Sequence, residues 1–184
     1  METLHTTQRK GMFHTSEGVK RKRGKSGTSR EDYLHSLVEG VRKAGTIEEK
    51  RKILAHLGNF AYDPLNFDVL IECRALSLWA NVLKKEEDVK CKQYAIAAIS
   101  NVCVDPRFGS EVFNHSFLSV CSCLSSTDEE TVLSALSVLY YLRSPATKRA
   151  LQQKELVAAV QRLANAKKPR VRSTAGALLR HISA

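Results

Sequence analysis

Cysteines, histidines and clustered acids are the residue types here that could carry chemistry. The five cysteines are Cys73, Cys91, Cys103, Cys121 and Cys123. None stands at the C-x-x-C spacing of a zinc site, and Cys121 and Cys123 are only two apart. Their spacing predicts buried, reduced thiols on helices. His35, His56, His115 and His181 are scattered, with no H-x-x-x-H pair. No G-x-S-x-G element supplies a nucleophile. Asp128, Glu129 and Glu130 open a helical pattern, where acids favour the helix dipole without any catalytic role. Asp63 and Asp105 each precede a proline, and turn chemistry accounts for them. Gly24-Lys25-Ser26 looks like the end of a phosphate loop, but Gly18 is one residue too far upstream and no apolar strand precedes it. The expectation is a protein with no catalytic site, metal, cofactor or small-molecule substrate.

The elements that would hold these residues are helical. The chain has 184 residues, 43% apolar and 26% charged, which suits one globular domain. Four prolines and no period-2 runs argue against sheet. No run of 18 apolar residues suggests a membrane span, and no apolar stretch suggests a secretory leader. The net charge of +10 is unevenly spread. Residues 1–30 hold 8 Lys/Arg against 2 acids, residues 31–142 hold 11 against 16, and residues 143–184 hold 10 against 1. A nucleic-acid partner could therefore face only the two ends. Residues 1–29 lack helical periodicity and are expected to form a disordered basic tail. Lys20, Arg21, Lys22, Arg23 and Lys25 could serve as a nuclear-import signal or touch RNA phosphates. So could Lys167, Lys168, Arg170 and Arg172 near the other end.

A period runs through residues 30–184. Leu57-Gly-Asn59-Phe-Ala-Tyr-Asp-Pro64 returns 42 residues on as Ile99-Ser-Asn101-Val-Cys-Val-Asp-Pro106. It returns 39 further on as Val138-Leu-Tyr140-Tyr-Leu-Arg-Ser-Pro145. Each reads as a long amphipathic helix ending at its proline. A fourth, about 171–182, is opened by Pro169. This period fits the helical unit of armadillo and HEAT solenoids. The predicted fold is all-α: an armadillo-type α-solenoid of about three and a half to four repeats, forming a right-handed superhelix. One unit cannot bury its apolar face alone, so neighbours must stack. Trp79 lies at apolar spacing in a second helix and is expected in the core. In an armadillo stack the third helices line a concave wall. Asn59, Tyr62, Tyr94, Asn101, Tyr140 and Arg143 are predicted to share that face as a partner-binding groove. Asn59 and Asn101 could equally tie neighbouring helices together.

The segments Asn59–Asn66, Asn101–Asp105 and Cys123–Ala135 resemble the armadillo repeat-containing protein 7 family, over about residues 31–143. The resemblance implies a nuclear, non-enzymatic adaptor of the minor (U12-type) spliceosome. Its partner would be a protein of the RNA-binding motif protein 48 type. Together the two would hold the capped 5′ end of the U6-type small nuclear RNA, which this chain would touch indirectly or through phosphates alone. Peptide-binding armadillo receptors often carry Trp four residues before the Asn. Here Ala55, Ala97 and Leu136 stand there, which disfavours an importin-like receptor. The alternatives are weak direct RNA binding through the basic ends, or a general armadillo adaptor in nuclear transport or ubiquitin pathways.

Overall fold

The computed structural model describes residues 27–183. The expectations for residues 1–26, including the Lys20–Lys25 run and the Gly24-Lys25-Ser26 element, lie outside the described residues. Ten α-helices and two short 3-10 turns form the fold, with no strand among the described residues. The first repeat has two helices, α1 (Arg30–Lys43) and α2 (Ile47–Phe60). The second has α3 (Phe67–Glu72), α4 (Ala75–Lys85) and α5 (Val89–Val102). The third fuses its first two helices into α6 (Pro106–Ser122), followed by α7 (Glu129–Tyr141). The fourth has α8 (Lys148–Leu151), α9 (Lys154–Ala164) and α10 (Pro169–Ser183).

Local chemistry sets the helix starts. Ser29, Thr46, Asp88 and Asp128 each accept a backbone N–H three residues on, satisfying a donor that has no partner inside the helix. Acids fill the first turns of α1, α2 and α7, where the dipole favours them. Between α3 and α4, Arg74 takes the left-handed conformation (φ 55°), which reverses the chain within one residue.

Packing follows the period. The last helix of each repeat lies against the last helix of the next: α2 on α5, α5 on α7, α7 on α10. Leu57, Ile99, Val138 and Leu178 occupy matching frames and are all buried. Small residues permit close approach, as where Ala98 and the Tyr94 carbonyl come near Gly58. Behind this layer α1, α4 and α9 cover the last helices of their own repeats. Trp79 of α4 is fully buried, in the core position its spacing predicts.

The prolines act differently from the expectation. The helices stop four residues before Pro64, Pro106 and Pro145. Pro64 and Pro106 instead open the next element, where a missing N–H costs nothing. Asp63 and Asp105 are their N-caps, accepting the N–H groups of Leu65 and Arg107. The aspartates therefore start elements; they do not close them. Tyr62, Val104 and Arg143 consequently lie in turns beyond the ends of α2, α5 and α7, so they cannot be placed by extending the helix face.

Candidate functional site

The four stacked helices α2, α5, α7 and α10 form a wall, and the Asn row lies on it. Asn59 on α2 is exposed, and Asn101 on α5 is half-buried. The Asn101 amide donates to the Gly58 carbonyl of α2 at 3.4 Å, so it ties two repeats together. Tyr140 on α7 is 41% exposed. Its ring stacks on the His181 imidazole of α10, with centroids 3.9 Å apart and planes 18° from parallel. It also meets Tyr141 edge-on at 5.9 Å. Tyr94 is half-buried and packs on the core. The wall thus presents a polar amide end and an aromatic end. A shallow recess of about 530 Å³ lies between α7 and α10, bordered by Leu133, Ser137 and Thr174.

Two predicted groove residues sit apart from this row. Tyr62 follows α2 and is 53% exposed. Arg143 is half-buried in the turn after α7 and lines a cleft against α6. Sequence spacing singled out neither His181 nor Tyr141. A cue for Tyr141 was its place beside Tyr140 at the end of an apolar helix: two adjacent tyrosines cannot both face the core.

Ion pairs bind the edge where the wall helices begin. At the first junction Lys50 reaches Glu86 at 2.5 Å. Arg51 grips Asp88 with two bonds, Nε to Oδ1 at 3.0 Å and Nη2 to Oδ2 at 2.5 Å. At the second junction Lys90 lies 3.7 Å from Asp128. At the third, Lys168 approaches Glu129 at 3.4 Å and Arg170 meets Glu130 at 2.5 Å. The polarity reverses along the stack. The earlier repeat supplies the cation at the first two junctions and the anion at the third. Lys168 and Arg170, two of the predicted phosphate contacts, are therefore engaged by acids of the preceding repeat. Lys167 and Arg172 are exposed, and Arg172 donates to the Ala166 carbonyl.

The motif Asn59–Asn66 has a structural function at the opposite edge. Asn66 is buried, donates to the Phe60 carbonyl at 2.6 Å and accepts from Arg30 Nε at 2.5 Å. Arg30 also meets Asp63 at 2.9 Å and lies 5.2 Å over the Phe60 ring. These residues lock the start of α1 onto the turn that opens the second repeat.

These pairs shift protonation in one direction. The Arg51 guanidinium holds the Asp88 carboxyl well below its ordinary range, and Lys50 lowers Glu86. Arg107 lowers Asp105. Burial raises Asp128, but its bonds from Thr131 and the nearby Lys90 outweigh that and lower it. A carboxyl held lower in the folded chain stabilises the fold fully above its unfolded pKa of about 4, and this stabilisation is lost as pH falls through the folded value. The melting temperature should therefore hold between pH 7 and 5 and drop below about pH 4. Asp88→Asn should melt lower at neutral pH and show a shallower acid drop. Calorimetry across that range checks both; an unchanged acid slope in Asp88→Asn would remove this pair from the explanation.

The thiols offer no nucleophile at neutral pH. Burial pushes Cys103 up to about 12, and burial with the neighbouring Asp88 pushes Cys91 up to about 12. Burial pushes Cys121 and Cys123 up to about 11 and raises Cys73. No group of three or more metal-ligating side chains gathers among the described residues.

Comparison with solved structures decides the fold. A computationally designed armadillo repeat protein for modular peptide recognition superposes with a TM-score of 0.73 at 20% identity, over 80% of this chain and 63% of that one. The chain has the armadillo-repeat fold. A designed armadillo repeat protein in complex with the peptide (KR)4 matches equally well, with a TM-score of 0.73 at 18% identity over 82% of this chain and 64% of that one. In sequence, the armadillo chain is similar to armadillo repeat-containing protein 7 of Mus musculus, at 35% identity over 120 residues. The match covers 63% of this chain and 59% of the mouse protein, so the chain spans about three fifths of that relative's length. The sequence match agrees with the family resemblance read from the motifs, and the solved structures agree with the armadillo fold. No protein-family model matches the chain.

Proposed function

We propose that this armadillo-repeat protein is a non-enzymatic adaptor whose wall receives a segment of a protein partner. The observation that carries the reading is the Asn59–Asn101–Tyr140 row on three adjacent helices, with Asn59 and Tyr140 exposed and Asn101 half-buried between them. An amide can pair with the backbone of an extended segment, and tyrosine adds contact area at low entropic cost. The likeness to designed peptide-recognition modules supports a protein partner. The likeness to armadillo repeat-containing protein 7 supports the finer reading given above. On that reading the chain works in the nucleus, in the minor spliceosome, with an RNA-recognition partner of the RNA-binding motif protein 48 type. The basic ends then lie near the phosphates of the U6-type small nuclear RNA, with Lys167 and Arg172 better placed for this than the ion-paired Lys168 and Arg170.

Replacing Tyr94 and Tyr140 together by Ala should weaken capture of an RNA-binding motif protein 48-type partner at least tenfold, as expected for aromatic anchors worth about 1–2 kcal/mol each. Circular dichroism checks that the double variant still folds. Undiminished capture by a folded variant removes the wall from the account. Direct RNA binding makes a different prediction: affinity of the isolated chain for a short RNA should fall steeply between 50 and 200 mM salt, roughly as counterion release dictates.

A further inference from the structure

Away from the Asn row, a cleft of about 490 Å³ opens between the start of α6 and the turn that follows α7. Val104, Phe113 and Tyr141 give it apolar sides, and Ser110 and Ser144 stand among its polar residues. Tyr141 is 49% exposed and Val104 50%. None of the lining residues is acidic, and its single charged member is Arg143.

Arg143 is the second observation. Three arginines among the described residues are half-buried: Arg30, Arg51 and Arg143. Arg30 is satisfied by Asp63 and Asn66, and Arg51 by Asp88. Among the described residues Arg143 has no carboxylate partner, and its Nε is shut off from solvent with no acceptor. A half-buried cation in that state gains most from an incoming carboxylate, which it can meet with two parallel bonds. The segment that Arg143 opens is itself basic, with 10 basic residues against 1 acid from Arg143 to the end.

We propose that this cleft is a docking site for a protein partner's peptide segment in which an aromatic or aliphatic side chain stands beside a carboxylate. The apolar side chain enters between Val104, Phe113 and Tyr141, and the carboxylate meets the Arg143 guanidinium. The inference rests on the adaptor reading but not on the wall, since no residue of the Asn row lines the cleft.

The test uses the full chain, labelled with 15N, and two capped dipeptides as probes: acetyl-Phe-Glu-amide and its uncharged counterpart acetyl-Phe-Gln-amide. The glutamate probe should produce saturable amide shifts centred on Val104, Phe113 and Arg143. The glutamine probe should bind about fivefold to tenfold more weakly, as loss of a charge-assisted bond implies. Arg143→Met, which keeps the bulk of the stem, should abolish that preference while leaving apolar contact. Tyr141→Ala alters an exposed residue, does not endanger folding, and should weaken both probes. Equal affinity for the two probes, shifts centred elsewhere, or a preference that survives Arg143→Met would each overturn the proposal. So would a decauridine RNA that moves the same amides when neither dipeptide does. Because Tyr94 and Tyr140 lie outside the cleft, the double variant of the wall should bind the glutamate probe normally, which separates failure of this site from failure of the other.

Discussion

Trp79→Ala should lower the unfolding free energy by about 3–5 kcal/mol, the cost of emptying a large aromatic site in a close-packed core. For a chain of this size that corresponds to a drop of roughly 10 °C in melting temperature. Trp79 is fully buried at the centre of α4 and lies in one continuous core with Leu76 and Leu83. Among the described residues its indole N–H has no hydrogen-bond partner, so truncation sacrifices packing and no polar bond. That separates two outcomes. Trp79→Phe retains an aromatic ring and removes a buried donor whose desolvation is uncompensated, so its cost should be clearly smaller than that of Trp79→Ala. Equal losses from Phe and Ala, measured by urea unfolding, would mean that the indole N–H stabilises the fold through a contact not seen here.

The second large effect is at Ile99, which is fully buried on α5. Ile99→Ala should cost about 2–5 kcal/mol, the range for removing a buried aliphatic side chain. Its position matters more than its size. The helix α5 packs on both α2 and α7, whereas α10 touches α7 and α9. In a solenoid, stability is close to a sum of units and nearest-neighbour interfaces. Hydrogen exchange should therefore accelerate in α2, α5 and α7, with α10 affected least. A uniform loss of protection over all four repeats would instead describe a single cooperative unit.

What sequence could and could not reveal follows from which physics each feature obeys. The faces were legible because helical periodicity fixes them: Leu57, Ile99, Val138 and Leu178 fall in frame and all are buried. The ends were not. Apolar spacing says nothing about where a capping bond forms, so the prolines were read as terminators when Pro64 and Pro106 begin the following elements. No residue within α6 takes a conformation like that of Arg74, so the third repeat runs there as one helix. Ion pairs such as Arg51 with Asp88 or Glu130 with Arg170 join residues 37 and 40 apart. Their meeting depends on how far one repeat is offset against the next, which no i, i+4 pattern contains. Spacing alone left Asn101 open to two readings, and the bond from its amide to the Gly58 carbonyl shows the one that ties neighbouring helices.

The reversal of charge polarity at the last junction gives the modules a fixed sequence. Asp128, Glu129 and Glu130 receive lysine or arginine from both flanking repeats. Excision of residues 107–145 in frame would put Lys90 where Glu130 now meets Arg170, setting cation against cation, with Asp88 the nearest acid at the new seam. A shortened splice form or an engineered three-unit version would then repel itself at its new seam, even though the apolar frames still align. The third repeat is thus the unit whose acids keep the cations of its two neighbours apart.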